Sequence, residues 1–568
     1  MIADLNRPQL AIVEAPTDES MLVLAGPGSG KTTVLVRRIL FLLAQGVDPK
    51  RICVVTFTNQ AAREMERRLA MGLDQLPKLG YIGTIHGLCL MLLRDHGDIR
   101  SWKRGIAVLD DEQSSAILRE TADWIGYQKL AMSKIIEARD EYGSLAEAQP
   151  NRTPALIAVA HYYRKLRAQQ AIDFRGLLSE GLEILKARTS WPSPLFTHLL
   201  VDEYQDCTDE DVAIFQSLGA ETHFMVGDPD QAIYSFRGGD IFHIIAAAQK
   251  QGRSVRKLEL NYRSAPPICA QAQSLIKHNK ERVDKATLPV VNAFTEATVS
   301  RRILSNDAAE AATIANEISE AIDKGKPAEE IAVLARTNAI ADKLRKMFHA
   351  FGIRTEANVA MKEMEGWNLG RAILGLLAAP LSDLAVMQFL RLLEGKDYVA
   401  KIQREASLAK TTVARIFHRG EPDPKLFSGD LADLPAALAN YGCDPDVLAQ
   451  LCEFAKDQLP QTGADLNDLI MALRQQRARE RRGDGVAVLT MHAAKGREWD
   501  TVYIAGLEDE VIPGHSAKDI EEERRLLFVA ITRAERHLIL SQAHARQTAF
   551  PPFASVPHSP SRFLVELD

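Results

Sequence analysis

Short apolar runs rich in β-branched residues alternate along the chain with stretches of helical spacing. In the first half these runs are 21–26, 52–58, 81–86 and the starts of 198–206 and 223–239. Continuous apolar runs followed by helices are typical of strands buried in a parallel sheet. A second series comprises 301–305, 331–336, 486–491, 501–506 and 537–542. The pattern predicts an α/β fold with two parallel-sheet cores.

Two long stretches interrupt this succession of strands. Residues 89–190 and about 371–480 keep an apolar spacing of about 3.6 residues and have almost no strand signal, which predicts a mainly helical insertion in each core. The expected domains are the first core, its insertion, the second core and its insertion: 1–88 with 191–275, 89–190, 276–370 with 481–568, and 371–480.

The overall charge does not identify a partner. Lysine and arginine number 69 against 75 for aspartate and glutamate, so any surface that binds nucleic acid must be local. The arginine-rich run at 474–482 fits either a solvated helix end or a patch that contacts phosphates. Charge therefore neither supports nor excludes DNA as a ligand.

The cysteines and the termini indicate where the protein works. Six cysteines are scattered without a CxxC pair, which argues against a zinc site, an iron-sulfur cluster or a disulfide framework. The N-terminus lacks the pattern of a signal sequence, and no uninterrupted apolar run reaches the roughly 18 residues that would suggest a membrane span. We expect a cytoplasmic protein.

A glycine-rich segment, AGPGSGKTT at 25–33, lies between a predicted strand and a predicted helix. This is the context of a phosphate-binding loop, in which backbone N–H groups surround phosphates at a helix N-terminus. Lys31 would reach the β- and γ-phosphates, and the Thr32 hydroxyl would bind Mg²⁺. Ala25 stands where the strict motif has its first glycine.

Charged residues elsewhere complete a site for phosphoryl transfer. Asp202 and Glu203 end an apolar run, so that one carboxylate would hold Mg²⁺ and the next would orient and deprotonate the attacking water. Arg263 and Arg533 are candidates for stabilising charge on the γ-phosphate. Taken alone, two acids at a strand tip could equally be a solvated strand end.

The segment 223–239 joins two kinds of chemistry. Gln231, Tyr234 and Phe236 fall within six residues just after a predicted strand. A polar group that can read a phosphate is thus next to rings that can stack on bases. We expect this segment to couple nucleotide state to a nucleic-acid strand, although single aromatics in such positions are more often core residues.

Taken in order, the motifs resemble those of the UvrD/Rep/PcrA-type superfamily 1A DNA helicases over almost the whole chain. The matching segments are LNRPQ (5–9), AGPGSGKT (25–32), VVTFTNQAAREM (54–65), GTIHGL (83–88), VDEYQD (201–206), GDPDQAIYSFRGG (227–239), NYRS (261–264), AVLARTN (332–338), VLTMHAAKGREWDTVYIAGLEDEVIP (488–513) and EEERRLLFVAITRAE (521–535). The resemblance implies two RecA-like cores, 1A and 2A, with helical insertions 1B and 2B.

The resemblance also implies a complete ATP site with Mg²⁺. Gln9 would read the adenine edge, Tyr262 would stack on the base and Glu498 would lie near the ribose. Gln231 would sense the γ-phosphate, with Arg263 and Arg533 as arginine fingers from opposite walls of the cleft. The implied nucleotide-binding residues are Gln9, Gly26, Gly28, Ser29, Gly30, Lys31, Thr32, Thr33, Tyr262 and Glu498.

On the DNA side, the resemblance implies a channel for single-stranded DNA that crosses both cores. Its implied residues are Phe57, Thr58, Asn59, His86, Tyr234, Phe236, Arg237 and His492. The implied activity is ATP-dependent 3′ to 5′ movement on single-stranded DNA with unwinding at single-strand/duplex junctions, in repair, replication or defence. Two alternatives are a motor or DNA-sensing subunit of a complex, for example with a nuclease or repair factor, and a nucleotide-gated binding module.

The chain departs from the family pattern at several positions. Phe236 stands where tryptophan is usual, and Thr33 where many relatives have arginine, which puts one adenine or ribose contact in doubt. The 371–480 insertion is much shorter than in large relatives. Phe550 lies near the place of an aromatic strand-separation pin, but a packing role fits it as well.

Overall fold

The computed structural model of the protein describes most of residues 5–567. The residues within that range that lie outside the description are 74–76, 98–105, 110, 125–131, 144–152, 188–193, 251–253, 291–295, 357–369, 371, 375, 377–382, 394, 410–446, 448, 450, 452–484, 516, 518 and 548–554. The arginine-rich run 474–482, Phe550, Cys443 and Cys452 are therefore outside it, as is most of the predicted second insertion. The domain limits given above stay a prediction.

The chain begins with alternating strands and helices. These are α1 (Arg7–Val13), β1 (Met21–Ala25), α2 (Lys31–Ala44), β2 (Ile52–Thr56), α3 (Asn59–Met71), β3 (Tyr81–Thr84) and α4 (Ile85–His96). A mainly helical stretch follows, with β4 (Ala107–Val108), α5 (Asp111–Trp124), α6 (Met132–Tyr142), α7 (Pro154–Ala168), β5 (Ala171–Ile172) and α8 (Phe174–Lys186).

Strands then resume and complete the first sheet. The elements are β6 (His198–Val201), α9 (Asp209–Ser217), β7 (Thr222–Gly227), α10 (Ile241–Gln249), β8 (Ser254–Leu258), β9 (Leu260–Asn261), α11 (Pro266–Ile276) and β10 (Leu288–Pro289). The sheet has the order β3-β2-β6-β7-β1-β8 and its pairs are parallel. Because parallel strands end at one edge, the loops after β1, β6 and β7 lie side by side.

The second sheet is built from the remaining strands. Its region contains β11 (Thr298–Leu304), α12 (Asp307–Asp323), β12 (Ile331–Ala335), α13 (Asn338–Ala350), α14 (Asp383–Leu393), α15 (Gly395–Leu408), β13 (Ala487–Thr490), β14 (Trp499–Ala505), α16 (Ile520–Ile531), β15 (Ala534–Ala543), β16 (Ala545–Gln547), β17 (Ser555–Pro557) and α17 (Phe563–Glu566). Five strands pair in parallel in the order β11-β15-β14-β12-β13. The predicted α/β class with two parallel sheets is confirmed.

Both faces of the first sheet are covered, which explains its continuous apolar strands. In β1, Leu22 and Leu24 enter one apolar cluster, whereas Met21 and Val23 enter the cluster on the opposite face. All five residues of this strand are buried. A strand covered on both faces has no polar side, so its sequence shows no alternation. The same reasoning applies to the fully buried β12.

Helix α11 ties the two regions together. The predicted limits place it in the first core, but its buried residues Ile268, Ala272 and Leu275 join the apolar cluster of the second sheet. The turn before it is also bonded to β15, because the Ser264 hydroxyl donates to the carbonyl oxygen of Ala534 at 2.7 Å. Helix α11 and the turn before it are therefore packed against the second sheet, although they follow directly from the last strands of the first sheet region.

Some elements were not predicted. Strand β8, with the sequence SVRKL, lies at the edge of the first sheet and exposes Arg256 and Lys257, so it lacks the apolar run of a central strand. The two-residue strands β4 and β5 pair with each other among the helices described between residues 106 and 187. Among the described residues, no helix is long and apolar enough to cross a membrane. Cys53, Cys89, Cys207 and Cys269 are free and buried.

Candidate active site

The loop between β1 and α2 uses glycines where other residues would not fit. Gly28 and Gly30 have φ values of +64° and +84°, a region that favours glycine. A Cβ on Gly28 would lie 2.6 Å from the Cβ of Arg263, and one on Gly30 would lie 2.8 Å from Nε2 of Gln9. The two glycines therefore let the loop fit closely against Gln9 and Arg263.

Gln9 holds the start of α1 against this loop. Its side-chain oxygen accepts from the Asn6 backbone N–H at 3.0 Å, and Nε2 donates to the carbonyl oxygen of Ser29 at 3.0 Å. Asn6 Nδ2 in turn donates to the hydroxyl oxygen of Tyr262 at 2.7 Å. Tyr262 is 45% exposed, so its ring is open to a ligand. Three predicted nucleotide-binding positions are thus brought together.

Thr33, in the first turn of α2, has a cationic neighbour from another helix. Arg68 of α3 donates from Nη1 to the Thr33 hydroxyl at 3.5 Å and from Nε to Glu64 at 2.6 Å. Thr33 and Gln9 both lie next to Gly30: a Cβ on that glycine would be 3.9 Å from the Cβ of Thr33 and 2.8 Å from Nε2 of Gln9. Position 33, where the family pattern has an arginine and this chain has threonine, therefore has the guanidinium of Arg68 within hydrogen-bond reach. Arg68 was not predicted, because no motif or spacing in the sequence indicates its contact with Thr33.

The acid pair follows β6 at the same edge. Asp202 is buried, and Glu203 has φ +51°, a strained value for a residue other than glycine. Burial and then the charge of Glu203 raise the pKa of Asp202 to about 7. Burial acts to raise the pKa of Glu203 as well, but attraction to Lys31 and Lys495 outweighs it and lowers this pKa. The Lys31 Nζ lies 3.9 Å from Glu203 Oε2.

This arrangement fits a hard divalent cation. Asp202 offers a buried carboxylate oxygen, and Thr32, the second residue of α2, offers a hydroxyl group. Oxygen ligands of this kind suit Mg²⁺. The raised pKa of Asp202 indicates that a negative charge is poorly compensated there, and a bound cation would relieve that cost.

Gln231 lies in a buried polar cluster after β7. Its Nε2 donates to Asp228 Oδ2 at 2.5 Å, and Asp228 also pairs with Lys285 at 2.7 Å. The Gln231 carbonyl oxygen accepts from Nζ of Lys495 at 2.9 Å. Lys495 follows β13 of the second sheet, so this bond crosses from one sheet region to the other.

Lys495 is a further functional candidate that was not predicted from the sequence. Its Nζ lies 2.5 Å from Asp206 Oδ2 and 4.9 Å from the ring centroid of Tyr234. The side chain is nearly buried, and its pKa stays raised because Asp206 and Glu203 outweigh the effect of burial. Its place just beyond a strand's carboxyl end was the available signal. Lys495 thus contacts both the acid motif and the aromatic segment.

The two predicted arginine fingers lie close to the same cleft with different partners. Arg263 pairs through Nε with Glu498 and donates to the Thr532 carbonyl oxygen at 3.5 Å. Arg533 is buried and donates to the carbonyl oxygens of Val529 at 2.9 Å and Arg497 at 3.1 Å. Burial, then repulsion from Arg263, lowers the pKa of Arg533 to about 9. Each guanidinium is therefore held by residues of the second sheet region.

Four aromatic rings form a continuous row. Phe57 stacks on Tyr234 with centroids 5.2 Å apart, and Tyr234 meets Phe236 edge-on at 6.0 Å. Phe236 meets His492 edge-on at 5.7 Å. Phe236 is 61% exposed, so its ring is available to a ligand. Four of the predicted DNA contacts are therefore brought together, with Phe57 in one sheet region and His492 in the other. We call Phe57, Tyr234, Phe236 and His492 the aromatic row.

The other predicted DNA contacts are Thr58, Asn59, His86 and Arg237, which lie outside the aromatic row. His86 packs edge-on against Phe174 at the start of α8, with centroids 5.2 Å apart, and Phe174 was not predicted. Thr58 caps α3, because its hydroxyl accepts from the Ala61 N–H at 3.1 Å, and Asn59 is the first residue of that helix. The side chain of Arg237 lies outside the described residues.

Comparison with known proteins is consistent with this geometry. The N-terminal domain model of UvrD/REP helicases matches residues 5–251, and the UvrD-like helicase C-terminal domain model matches residues 256–362 and 446–545. The chain is 29% identical to DNA helicase II of Salmonella typhimurium and to that of Escherichia coli, over 100% of this chain and 88% of each relative. It is 25% identical to the ATP-dependent DNA helicase PcrA of Staphylococcus epidermidis, over 100% of this chain and 87% of the relative.

Proposed function

The chain belongs to the UvrD-like helicase family, and from that premise we infer that it moves 3′ to 5′ along single-stranded DNA and separates the duplex ahead of it. The observation that carries this proposal is the segment 231–236. It begins at Gln231, in the buried polar cluster beside the acid pair, and ends at Phe236, in the aromatic row. A short, continuous piece of backbone therefore connects the nucleotide cleft to the rings that stack on bases.

In this proposal the loop before α2 holds the phosphates of ATP. Its backbone N–H groups would surround the phosphates at the N-terminus of α2, where an anion is favoured. Lys31 contacts the β- and γ-phosphates and is released from its contact with Glu203 as it does so. The loop residues assigned to phosphate binding are Gly26, Gly28, Ser29, Gly30, Lys31 and Thr32.

Thr32 and Asp202 would hold Mg²⁺, which supplies positive charge beside the phosphates when it is bound. Glu203 positions the attacking water and accepts its proton. Attraction to Lys31 and Lys495 lowers the pKa of Glu203, so the carboxylate is ionised before ATP binds, and it becomes a stronger base when Lys31 moves to the phosphates. The strained backbone of Glu203 supports this assignment, since such strain is concentrated at functional sites.

The base and ribose occupy the side of the cleft formed by α1. The Gln9 amide keeps a second hydrogen beyond its bond to Ser29, and this hydrogen can donate to the adenine edge. Tyr262 stacks on the base, its hydroxyl fixed by Asn6. Glu498 lies near the ribose, and Thr33 lines the first turn of α2.

Closing the cleft brings the two arginines onto the γ-phosphate. Arg263 would exchange its pairing with Glu498, and Arg533 its carbonyl partners, for the phosphate oxygens. A buried guanidinium that repels another cation, as Arg533 repels Arg263, gains most from an anion between them. Gln231 senses the same phosphate from the opposite sheet.

The aromatic row is the proposed platform for DNA. Base stacking on aromatic rings is worth about 1–3 kcal/mol per base and does not depend on sequence, which suits a motor. Thr58 and Asn59 at the start of α3 contact the backbone of the strand, His86 extends the platform beside Phe174, and Arg237 contributes a charge. The proposed substrates are single-stranded DNA and single-strand/duplex junctions.

Two assays test this function directly. ATP turnover is measured with and without single-stranded DNA, and strand displacement is measured on duplexes that carry a 3′ or a 5′ tail. We expect DNA to stimulate turnover and unwinding to require the 3′ tail. Lys31→Ala is the control without hydrolysis. Absence of stimulation would refute the motor, whereas a requirement for the 5′ tail would refute only the direction.

A further inference from the structure

Ser235, the residue before Phe236, is held from the second sheet region by one carboxylate. Its backbone N–H donates to Glu522 Oε1 at 2.9 Å, and its hydroxyl donates to Glu522 Oε2. Glu522 lies in the first turn of α16, which Asp519 caps by accepting from the Glu521 N–H at 2.7 Å. Both oxygens of one rigidly mounted side chain therefore fix the backbone next to the exposed ring of Phe236.

The same helix contacts the segment at a second point. Arg525, one turn after Glu522, donates from Nε to the carbonyl oxygen of Ala232 at 2.9 Å. Residues three apart lie on one face of a helix, so both contacts come from the same face of α16. Together with the bond from Lys495 to the Gln231 carbonyl oxygen, the second sheet region holds the segment 231–235 at three positions.

The other end of α16 reaches the nucleotide cleft. The helix ends at Ile531, and Thr532 and Arg533 follow directly. Residues 523–531 are buried, so the helix is packed along nearly its whole length. A helix of 12 residues is about 18 Å long. The same helix thus has Glu522 in its first turn and Arg533 two residues beyond its end.

We propose that Glu522 is the positioning residue that transmits movement of the nucleotide cleft to Phe236. This inference rests on the proposed function. When Arg533 moves onto the γ-phosphate, α16 moves with it, and Glu522 carries Ser235 and the Phe236 ring relative to Phe57. Lys495 and Arg525 hold the beginning of the segment, and Glu522 holds its end, next to the ring that contacts a base.

Four variants test this role: Glu522→Ala, Glu522→Gln, Glu521→Ala and Ser235→Ala. Glu522→Ala removes both bonds to Ser235, whereas Glu522→Gln keeps them, because the amide oxygen accepts from the Ser235 N–H and the amide nitrogen donates to its hydroxyl. Glu521→Ala is the matched control, since Glu521 accepts from the backbone N–H groups of Lys280 and Glu281 and not from the segment. ATP turnover without DNA, turnover at saturating single-stranded DNA and the Kd for that DNA are measured for each.

We expect Glu522→Ala to keep DNA-free turnover within about twofold of wild type and to lose about tenfold in DNA-stimulated turnover. Glu522→Gln and Glu521→Ala should remain near wild type. Ser235→Ala should show a smaller loss that is not additive with that of Glu522→Ala, because both changes remove the same bond. A structural defect alone would lower DNA-free turnover or the unfolding midpoint together with the stimulated rate.

Two outcomes would overturn the role of Glu522. The first is a Glu522→Ala variant with wild-type stimulation, and the second is an equal loss in Glu521→Ala. Both leave the proposed motor function standing, because wild type is still stimulated by DNA. If wild type itself shows no stimulation, the proposed function fails and this inference fails with it. The two failures are therefore distinguishable in one set of measurements.

Discussion

Lys495 and Asp206 form an ion pair across the cleft, with Nζ 2.5 Å from Oδ2 and both side chains almost completely buried. The two residues are 289 positions apart in the chain. Asp206 follows the acid pair, and the same lysine contacts the Gln231 carbonyl oxygen and the Tyr234 ring. Lys495 is thus a direct link between the parts of the site that we assign to hydrolysis and to DNA.

Replacing Lys495 should therefore uncouple the two sheets. In Lys495→Met, Asp206 loses its cationic partner, and its pKa, which burial already raises to about 6, should rise further. Breaking a buried ion pair costs about 3–5 kcal/mol. We expect DNA-stimulated turnover to fall by at least about tenfold, because the lost ion pair weakens the contact between the two sheet regions. Steady-state kinetics checks this, with the exposed Lys324→Met as control; an unchanged stimulated rate would remove Lys495 from the mechanism.

Arg68 should contribute to nucleotide affinity. Its guanidinium lies beside Thr33, and a charge-assisted hydrogen bond contributes about 1.5–3 kcal/mol. We expect Arg68→Ala to raise the KM for ATP by about tenfold with little change in kcat. Arg67→Ala is the control, because Arg67 pairs with the same Glu64. Adding Thr33→Arg to Arg68→Ala should restore the KM. An equal KM for ATP in Arg68→Ala and wild type would refute the proposed contribution of Arg68 to nucleotide binding.

Arg38 should stabilise the first sheet region. Its guanidinium is buried and donates to the carbonyl oxygens of Val13 at 3.0 Å and Pro16 at 2.7 Å, and also to that of Ala15. Arg38→Met keeps the apolar stem but leaves these acceptors without a donor, at about 1–3 kcal/mol for each buried group. We expect a lower midpoint of urea unfolding, with the neighbouring Arg37→Met near wild type. An unchanged midpoint in Arg38→Met would contradict this.

Much of the fold could be predicted because its signals are local. The strands of the first sheet are continuous apolar runs, since both faces are covered, and polar residues follow β1, β6 and β7 directly. Parallel strands end at one edge, so the loop before Lys31, the acid Asp202 and Gln231 had to converge. Strand β8 was missed for the converse reason, because an exposed edge strand needs no apolar run.

The contacts between the two sheets were harder to predict, because even the place of Lys495 after a strand does not identify its partner. Lys495 pairs with a residue 289 positions away, and Glu522 with one 287 positions away. Each is a charged residue in a polar or helical stretch, which a sequence pattern usually indicates to be surface. Phe174 likewise gave no indication that it would meet His86. Such partners depend on how separate elements pack, and the period of a strand or helix carries no information about that.

The coupling between ATP hydrolysis and DNA is tested most directly by ATP turnover at saturating single-stranded DNA. The variant is Phe236→Ala, and the matched control is Phe242→Ala, which removes a phenylalanine of similar exposure in α10. Binding of a fluorescent ATP analogue verifies that the cleft of each variant still takes nucleotide. We predict that DNA stimulates wild type and Phe242→Ala, whereas Phe236→Ala binds nucleotide but loses the stimulation. Full stimulation of Phe236→Ala would contradict the account.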